Sequence, residues 1–179
     1  MPKMNVPALV RRAHQKKKKL GLFLKKLRKQ QPKNIQTLIK QADKEAWAET
    51  DCLDCANCCK TMTPTFKKAE IKVIAERVGM SYQKYFDKYL KVDDDNGDIV
   101  NQNTPCQHLG KDNKCKVYDI RPYDCRNFPH HVRKDFFYQV EEKTYLNNMP
   151  RCPATLMFVE NLERIVQEEK IVGNIYRSK

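Results

Sequence analysis

The sequence predicts a mainly α-helical chain with small irregular β hairpins, in which a metal stabilises a domain built around a cysteine cluster. Three observations lead to this fold class. Apolar residues recur at helical spacing in several segments. One Asn-Gly pair is typical of a tight hairpin turn. Four of the eight cysteines lie between positions 52 and 59. Hydrophobic periodicity does not predict the secondary structure of this segment, because bonds to a metal override it.

Two helices are predicted at the N-terminus. The first covers residues 5–30, with apolar residues on one face, lysine and arginine on the other, and Pro32 beyond its end. The second covers residues 35–49, with Asn34 as candidate N-cap. The repeating apolar positions in the second half of the first helix are Leu20, Phe23, Leu24 and Leu27.

The middle and end of the chain alternate short elements with loops. The elements predicted before the second cysteine group are a helix over 67–78 that ends at Gly79, a helix capped by Ser81 that runs through Tyr89, and strands over 89–92 and 98–100 around the Asn96-Gly97 turn. The second cysteine group starts at Cys106. The elements predicted from there on are a strand over 115–118, a helix that begins at Pro122 and carries Cys125, and closing helices over 133–146 and 154–170.

Charge divides the chain in two. Residues 1–42 contain thirteen Lys or Arg and no acid, whereas residues 43–179 contain 22 basic and 22 acidic residues. We therefore expect a basic helical N-terminal arm at 1–42 and a cysteine-cluster metal-binding domain at 43–179. Such asymmetry favours an anionic partner for the arm, namely nucleic acid such as RNA, or an anionic membrane surface. The alternatives are a solvated tail and an apolar stripe that packs on the protein itself.

The cysteines are expected to be reduced. No stretch reaches the ~18 apolar residues of a transmembrane segment. The five apolar or small residues after Lys19 are fewer than the roughly seven that a secretory signal needs. The sequence thus predicts a cytoplasmic protein, where thiols bind metal more readily than they form disulfides.

The cysteine spacing predicts a site for zinc or an iron–sulfur cluster, and the triplet at positions 52, 55 and 58 slightly favours iron–sulfur. Two cysteines separated by two residues form the recurrent half-site of structural zinc. Three at this spacing also match the first ligands of a ferredoxin-type iron–sulfur cluster, for which Cys152-Pro153 has the local pattern of a fourth ligand. All eight are candidate ligands: Cys52, Cys55, Cys58, Cys59, Cys106, Cys115, Cys125 and Cys152. Cys58 and Cys59 are expected to point in different directions, so Cys59 is the weaker candidate.

Basic and histidine side chains accompany the cysteines. Four thiolates around Zn²⁺ leave about two negative charges, which nearby cations or donors stabilise. Arg121 and Arg126 are the candidates for this cofactor-binding role, whereas Lys60 and Lys114 are expected to be exposed. The alternative ligands are His108, His130 and His131.

Three blocks of residues resemble a known family. They are Cys52–Cys59, Pro105-Cys106 through Leu109, and Cys115 through Pro129, which includes Tyr118, Arg121-Pro122 and Cys125-Arg126. Over about residues 50–160 the chain resembles the CxxCxxCC (YkgJ-type) cysteine-cluster family of zinc- or iron-chelating domain proteins. The resemblance implies metal chelation. His108 stands where the family pattern has an aromatic or apolar residue. Flagellin lysine N-methylases share a similar motif, but this chain is much shorter, so methyl transfer is not carried over.

Two functions follow from these patterns. One is a metal-cluster protein, holding iron–sulfur or zinc, with a redox or electron-transfer task. The other is a structural metal module whose basic arm binds RNA, the ribosome or another polyanion. A Gly-rich phosphate loop and a Gly-x-Ser-x-Gly nucleophile are both absent from the sequence. An iron–sulfur oxidoreductase is the enzymatic possibility that this leaves.

Overall fold

The computed structural model describes residues 4–132, 135–141 and 143–177, with side chains in the last helix described through Glu169. The helices are α1 (Val6–Lys29), α2 (Ile35–Ala48), α3 (Cys52–Cys55), α4 (Asn57–Thr61), α5 (Lys68–Arg77), α6 (Tyr82–Tyr89), α7 (Tyr123–Asn127), α8 (Phe136–Glu141), α9 (Thr144–Asn148) and α10 (Pro153–Arg177). Strands β1 (Leu90–Val92) and β2 (Ile99–Asn101) form an antiparallel hairpin in which Val92 pairs with Ile99. The mainly helical fold class with a small β hairpin is confirmed.

By packing, the residues fall into two units. We call Cys52–Phe128 the cysteine unit, and the segments on either side of it, up to Asp51 and from Pro129 onward, the helical unit. The helical unit thus combines the predicted basic arm with chain from beyond the cysteine groups. Over the described residues, no helix has the length and apolar character needed to cross a membrane.

The helical unit is held together by apolar faces of α1, α2 and α10. The predicted stripe of α1 is used here, because Leu20, Leu24 and Leu27 are buried and Phe23 is partly buried against the same core. Asn5 caps α1 by accepting a hydrogen bond from the Ala8 amide at 3.1 Å. The other fully buried members of this core include Ile39, Ala42, Leu156, Phe158 and Leu162. Burial of the stripe agrees with the expectation that it packs on the protein.

The cysteine unit has a smaller core between α5, α6 and the hairpin. Ile71, Ile74 and Tyr85 are fully buried in it. Ser81 accepts a hydrogen bond from the Lys84 amide at 3.2 Å and so caps α6 as predicted. Gly79 ends the turn after α5 with φ of +70°, a value that glycine adopts without strain.

Three local predictions were wrong or incomplete. Residues 115–118 do not form a strand; Cys115 makes one isolated bridge to Leu109, and Tyr118–Ile120 form a 3-10 turn. The helix expected over 133–146 includes two separate helices, α8 and α9, with Lys143 at φ of +58° between them; residues 133, 134 and 142 lie outside the described ones. Helix α10 is longer than expected at its C-terminal end.

The packing of α1 predicts a contrast between two leucines of that helix. Leu20→Ala removes a side chain that is 0% exposed and should lower the free energy of unfolding by ~2–5 kcal/mol. Leu22→Ala is the matched control, because Leu22 is 62% exposed and its loss should change stability by less than about 0.5 kcal/mol. Urea unfolding followed by circular dichroism measures both, and equal effects would contradict the packing of α1 in the core.

Candidate metal centre

Six cysteines share the wall of one cavity inside the cysteine unit. The cavity has a volume of about 80 Å³. The wall cysteines, as we call them, are Cys52, Cys58, Cys59, Cys106, Cys115 and Cys125. Apolar side chains, among them Met62, Phe66, Val117 and Phe128, complete much of the remaining wall. The wall thus combines six thiols with apolar groups and a few other polar side chains, among them His108 and Asp124.

Two one-turn helices position the first three wall cysteines. Helix α3 carries Cys52 and helix α4 carries Cys58 and Cys59. Ala56 separates the helices in the left-handed conformation, with φ of +46°, and so changes the direction of the chain between them. The segment 52–61 therefore forms two short helices rather than one.

The sulfurs of Cys58 and Cys59 lie 4.0 Å apart. Two thiolates on one tetrahedral zinc ion, with Zn–S bonds of ≈ 2.3 Å, are separated by roughly 3.8 Å. The expectation that these neighbouring side chains diverge is therefore wrong for their sulfur atoms. Cys59, the weaker candidate in the sequence, is as well placed as Cys58.

Backbone hydrogen bonds bring the second cysteine group to the same wall. The Cys106 amide donates to the Cys59 carbonyl at 2.8 Å. The loop that follows is closed by the Lys116 amide, which donates to the His108 carbonyl at 2.9 Å, and by the bridge between Leu109 and Cys115. These bonds hold Cys106 and Cys115 beside Cys59 although they are far from it in sequence.

Gly110 makes the turn of this loop possible. A Cβ atom at this position would lie 2.5 Å from the Asp112 Oδ1 atom and 3.2 Å from the Lys114 carbonyl oxygen. The Gly110 amide donates to that same carbonyl at 2.8 Å. A side chain here would push the two strands of the loop apart and displace Cys115.

Helix α7 brings the sixth sulfur. It begins after Pro122, as predicted, and carries Cys125. Two side chains fix the segment: Glu70 accepts a hydrogen bond from the Tyr123 amide at 2.7 Å, and Asp124 accepts one from the Thr65 amide at 3.1 Å. Cys125 is thus held at the cavity from two directions.

A family model described as "CxxCxxCC: Putative zinc- or iron-chelating domain" matches residues 51–153, more than half of the chain. The chain belongs to the CxxCxxCC family. The matched region contains all eight cysteines, and the resemblance inferred from the three sequence blocks is confirmed. No curated protein and no solved structure matches this chain.

Burial controls the ionisation of the thiols in this CxxCxxCC protein. It raises the pKa values of Cys106, Cys115 and Cys125, and neighbouring thiols raise them further. Hydrogen bonding to Cys52 and Cys59 raises the pKa of Cys58, while the hydrogen bond between Cys58 and Cys59 lowers the pKa of Cys59. The protein groups around the wall thus raise the pKa values of most of these thiols and lower that of Cys59.

The donor set fits zinc or iron. Both metals bind thiolates, and a bound cation displaces the thiol protons that burial otherwise retains. Within the ranges that the structure describes, no three His, Cys, Asp or Glu side chains already stand in the arrangement of a metal-binding group. The sulfurs line the cavity wall.

The two predicted basic partners differ in position. Arg121 is part of the cavity wall; its Nη1 donates to the Tyr118 carbonyl at 2.6 Å and its guanidinium lies 3.7 Å from the centroid of the Tyr118 ring. Its charge opposes the rise that burial causes in the pKa of Cys115. Arg126 is exposed and is not part of the wall. Lys60 and Lys114 are exposed, as expected.

His108 stacks on Tyr85 and accounts for the departure from the family pattern. The two rings are 7° from parallel, and the Tyr85 hydroxyl lies 2.6 Å from His108 Nε2. Burial lowers the pKa of His108 to about 4, so its imidazole is neutral near pH 7. The His108 imidazole is thus a planar ring at the position where the family pattern has an aromatic or apolar residue. Its Nε2 atom is hydrogen-bonded to Tyr85 and is not available to a metal.

His131 is a structural residue of the helical unit and not a metal ligand. Its side chain is buried, with Nδ1 2.8 Å from Asp43 Oδ1 and Nε2 3.1 Å from Thr155 Oγ1, and its ring stacks on Phe158 at 4.3 Å. Both nitrogens have partners, which corrects its candidacy as a ligand. His130, also of the helical unit, has φ of +64°.

The two remaining cysteines are placed differently from the other six. Cys55 is buried at the end of α3 but does not line the cavity. Cys152 precedes α10 in the helical unit, where its amide donates to the Asn148 carbonyl at 2.8 Å. Their roles as ligands stay predictions.

Tyr85 is a site residue that the sequence did not single out, whereas Tyr118 was named only as part of the block that resembles the family. Tyr85 contacts the His108 ring of the wall, and Tyr118 supports the guanidinium of Arg121. Tyr85 carried no local signal, because it lies 23 positions from its partner His108.

Proposed function

We propose that the wall cysteines hold zinc or iron as thiolates and that this metal centre organises the cysteine unit. The observation that carries the proposal is the convergence of six cysteines from separate segments on one cavity. Between β2 and α7 the chain contains only a 3-10 turn and isolated backbone contacts. Metal–thiolate bonds would supply the cross-links that regular secondary structure does not provide there.

An iron–sulfur cluster with an electron-transfer task is the second candidate. The Cys52, Cys55 and Cys58 spacing favours it, since a ferredoxin-type run uses all three sulfurs for a cluster. However, only Cys52 and Cys58 of these three line the cavity. Cys55 is buried and is not part of the wall. The wall therefore supports ions bound directly by thiolates more strongly than a cluster of the ferredoxin type.

Isolation of the full chain with and without oxygen separates the two candidates. We expect a colourless protein with stoichiometric zinc under both conditions. Chelation should raise hydrogen exchange across residues 101–122 while α1 and α10 keep their protection, because structural zinc contributes on the order of 10 kcal/mol in small domains. A brown protein containing iron and sulfide only when isolated without oxygen would contradict the structural role and favour electron transfer. Metal-free protein with paired, oxidised cysteines would contradict both.

The outer face of α1 supports polyanion binding as a further role. Arg11, Lys18, Lys25 and Lys29 follow one another at intervals of seven, seven and four residues, all of them exposed. At 1.5 Å per residue they span roughly 27 Å along the helix. Among the side chains that the structure describes, none of these four has an ion-pair partner. With respect to the described residues, the face is thus a row of cations without an acid paired to it.

The flank of α1 differs sharply from its outer face. Arg12 and Lys16 each pair with Glu160 at 2.6 Å, and Lys19 pairs with Glu163 at 2.9 Å. Because the apolar stripe of α1 is used in the core, the helix has no apolar face left for insertion into a membrane. We therefore favour a nucleic acid such as RNA, whose phosphates pair with cations alone.

Two triple variants with equal loss of charge test this role. In the first variant, Gln replaces Arg11, Lys18 and Lys25. This variant should bind a mixed-sequence RNA more weakly. The slope of log K against log[salt] should fall in magnitude by about 2–3, since each phosphate that is no longer neutralised accounts for roughly 0.7–0.9. In the control variant, Gln replaces Arg12, Lys16 and Lys19. Its effect on RNA binding should be smaller, since these cations are already paired with glutamates. Fluorescence anisotropy measures both. Equal reductions in the two variants, or no RNA binding by the unaltered chain, would contradict the proposal.

A further inference from the structure

The number of wall cysteines exceeds what one metal ion can use. A tetrahedral zinc site takes four ligands, so one ion would leave two thiols of the same wall without a metal. Two tetrahedra that share an edge have six corners, of which two are bridging and four are terminal. Six is also the number of cysteines in the wall.

The size and charge of the cavity agree with two ions. Its volume of about 80 Å³ is several times the roughly 10–15 Å³ that a single water needs. Six thiolates with two divalent ions carry about two negative charges, the same net charge as four thiolates with one ion. Arg121, in the same wall, offsets part of this charge. A second divalent ion thus neutralises the two additional thiolates, and the net charge of the site stays the same.

The backbone places Cys59 at the junction of the two cysteine segments. Its Sγ lies 4.0 Å from that of Cys58, and its carbonyl accepts the Cys106 amide at 2.8 Å. Cys59 is therefore the point at which the first cysteine segment meets the second. Cys115 is tied to the Cys106 segment through its bridge with Leu109, which extends the same wall.

We propose that the wall cysteines form a binuclear site, in which two divalent metal ions share bridging thiolates and Cys59 is one of the bridges. Loading releases up to six thiol protons to solvent, and no change in oxidation state is involved. The inference rests on the proposed metal centre and adds its stoichiometry: two ions, six cysteines and no inorganic sulfide.

Native mass spectrometry of the full chain tests the stoichiometry, after reduced metal-free protein is loaded with Zn²⁺ without oxygen. We expect two Zn²⁺ per chain. Cys59→Ser should lose at least one of them, whereas Cys55→Ser and Cys152→Ser, outside the wall, should keep both. One ion per wild-type chain, two ions in Cys59→Ser, or a lost ion in either control would overturn the binuclear site and leave the metal centre standing. No bound zinc at all would overturn both.

Cadmium NMR of the wild-type chain provides a readout that does not depend on a variant's ability to fold. Two cadmium resonances, split by spin coupling through a shared sulfur, are expected. A single resonance, or two without coupling, would contradict bridging. Two metal ions accompanied by acid-labile sulfide in the isolated protein would also contradict it, because sulfide would then take the place of the cysteine bridges.

Discussion

Thiols that share a low-dielectric cavity cannot all ionise unless a cation enters with them, because each thiolate raises the energy of the next. In the cysteine unit six cysteines share one cavity wall, so the constraint applies to those of them that are partly buried. Burial and mutual repulsion favour the protonated form at Cys106, Cys115 and Cys125. A divalent metal reverses that balance, since it binds thiolates and releases their protons. Under the proposed function, the loops of the unit serve this exchange of protons for metal.

The helical unit follows a different physical rule. Its stability comes from apolar faces, with Leu20, Leu24 and Phe158 fully or almost fully buried, and from a polar network in which Asp43 and Thr155 occupy both nitrogens of His131. Helix α1 serves this core with one face and presents cations on the other. The same helix therefore provides packing and a charged surface, which is why a basic N-terminal segment need not be a loose tail.

Prediction from the sequence succeeded where local physics decides the structure. The periodic stripes of α1, α2 and α10, the Ser81 cap and the Asn-Gly hairpin were all found in this way. It failed at residues 115–118, where an isolated bridge and the cysteine wall, rather than β propensity, set the backbone. The sequence ranked Cys59 below Cys55 as a ligand, and that ranking stays a prediction, but Cys59 lines the cavity and Cys55 does not. Spacing alone cannot show this, because it depends on the left-handed residue Ala56 between the two short helices.

Contacts between distant residues were beyond sequence reasoning. His131 and Asp43 are 88 positions apart, so nothing local distinguished a buried structural histidine from a ligand. The choice of metal is equally nonlocal, because it depends on how many sulfurs share one ion. Cysteine spacing predicted a metal site, and the three-dimensional wall shows which six cysteines share a cavity.

Cysteine alkylation resolved by mass spectrometry, before and after chelation, tests most directly whether the wall cysteines act as one metal centre. Cys52, Cys58, Cys59, Cys106, Cys115 and Cys125 should resist alkylation together in the protein as isolated and become reactive together once the chelator removes the metal. Alkylation that is the same with and without chelator, or that proceeds at each of the six independently, would contradict a shared metal.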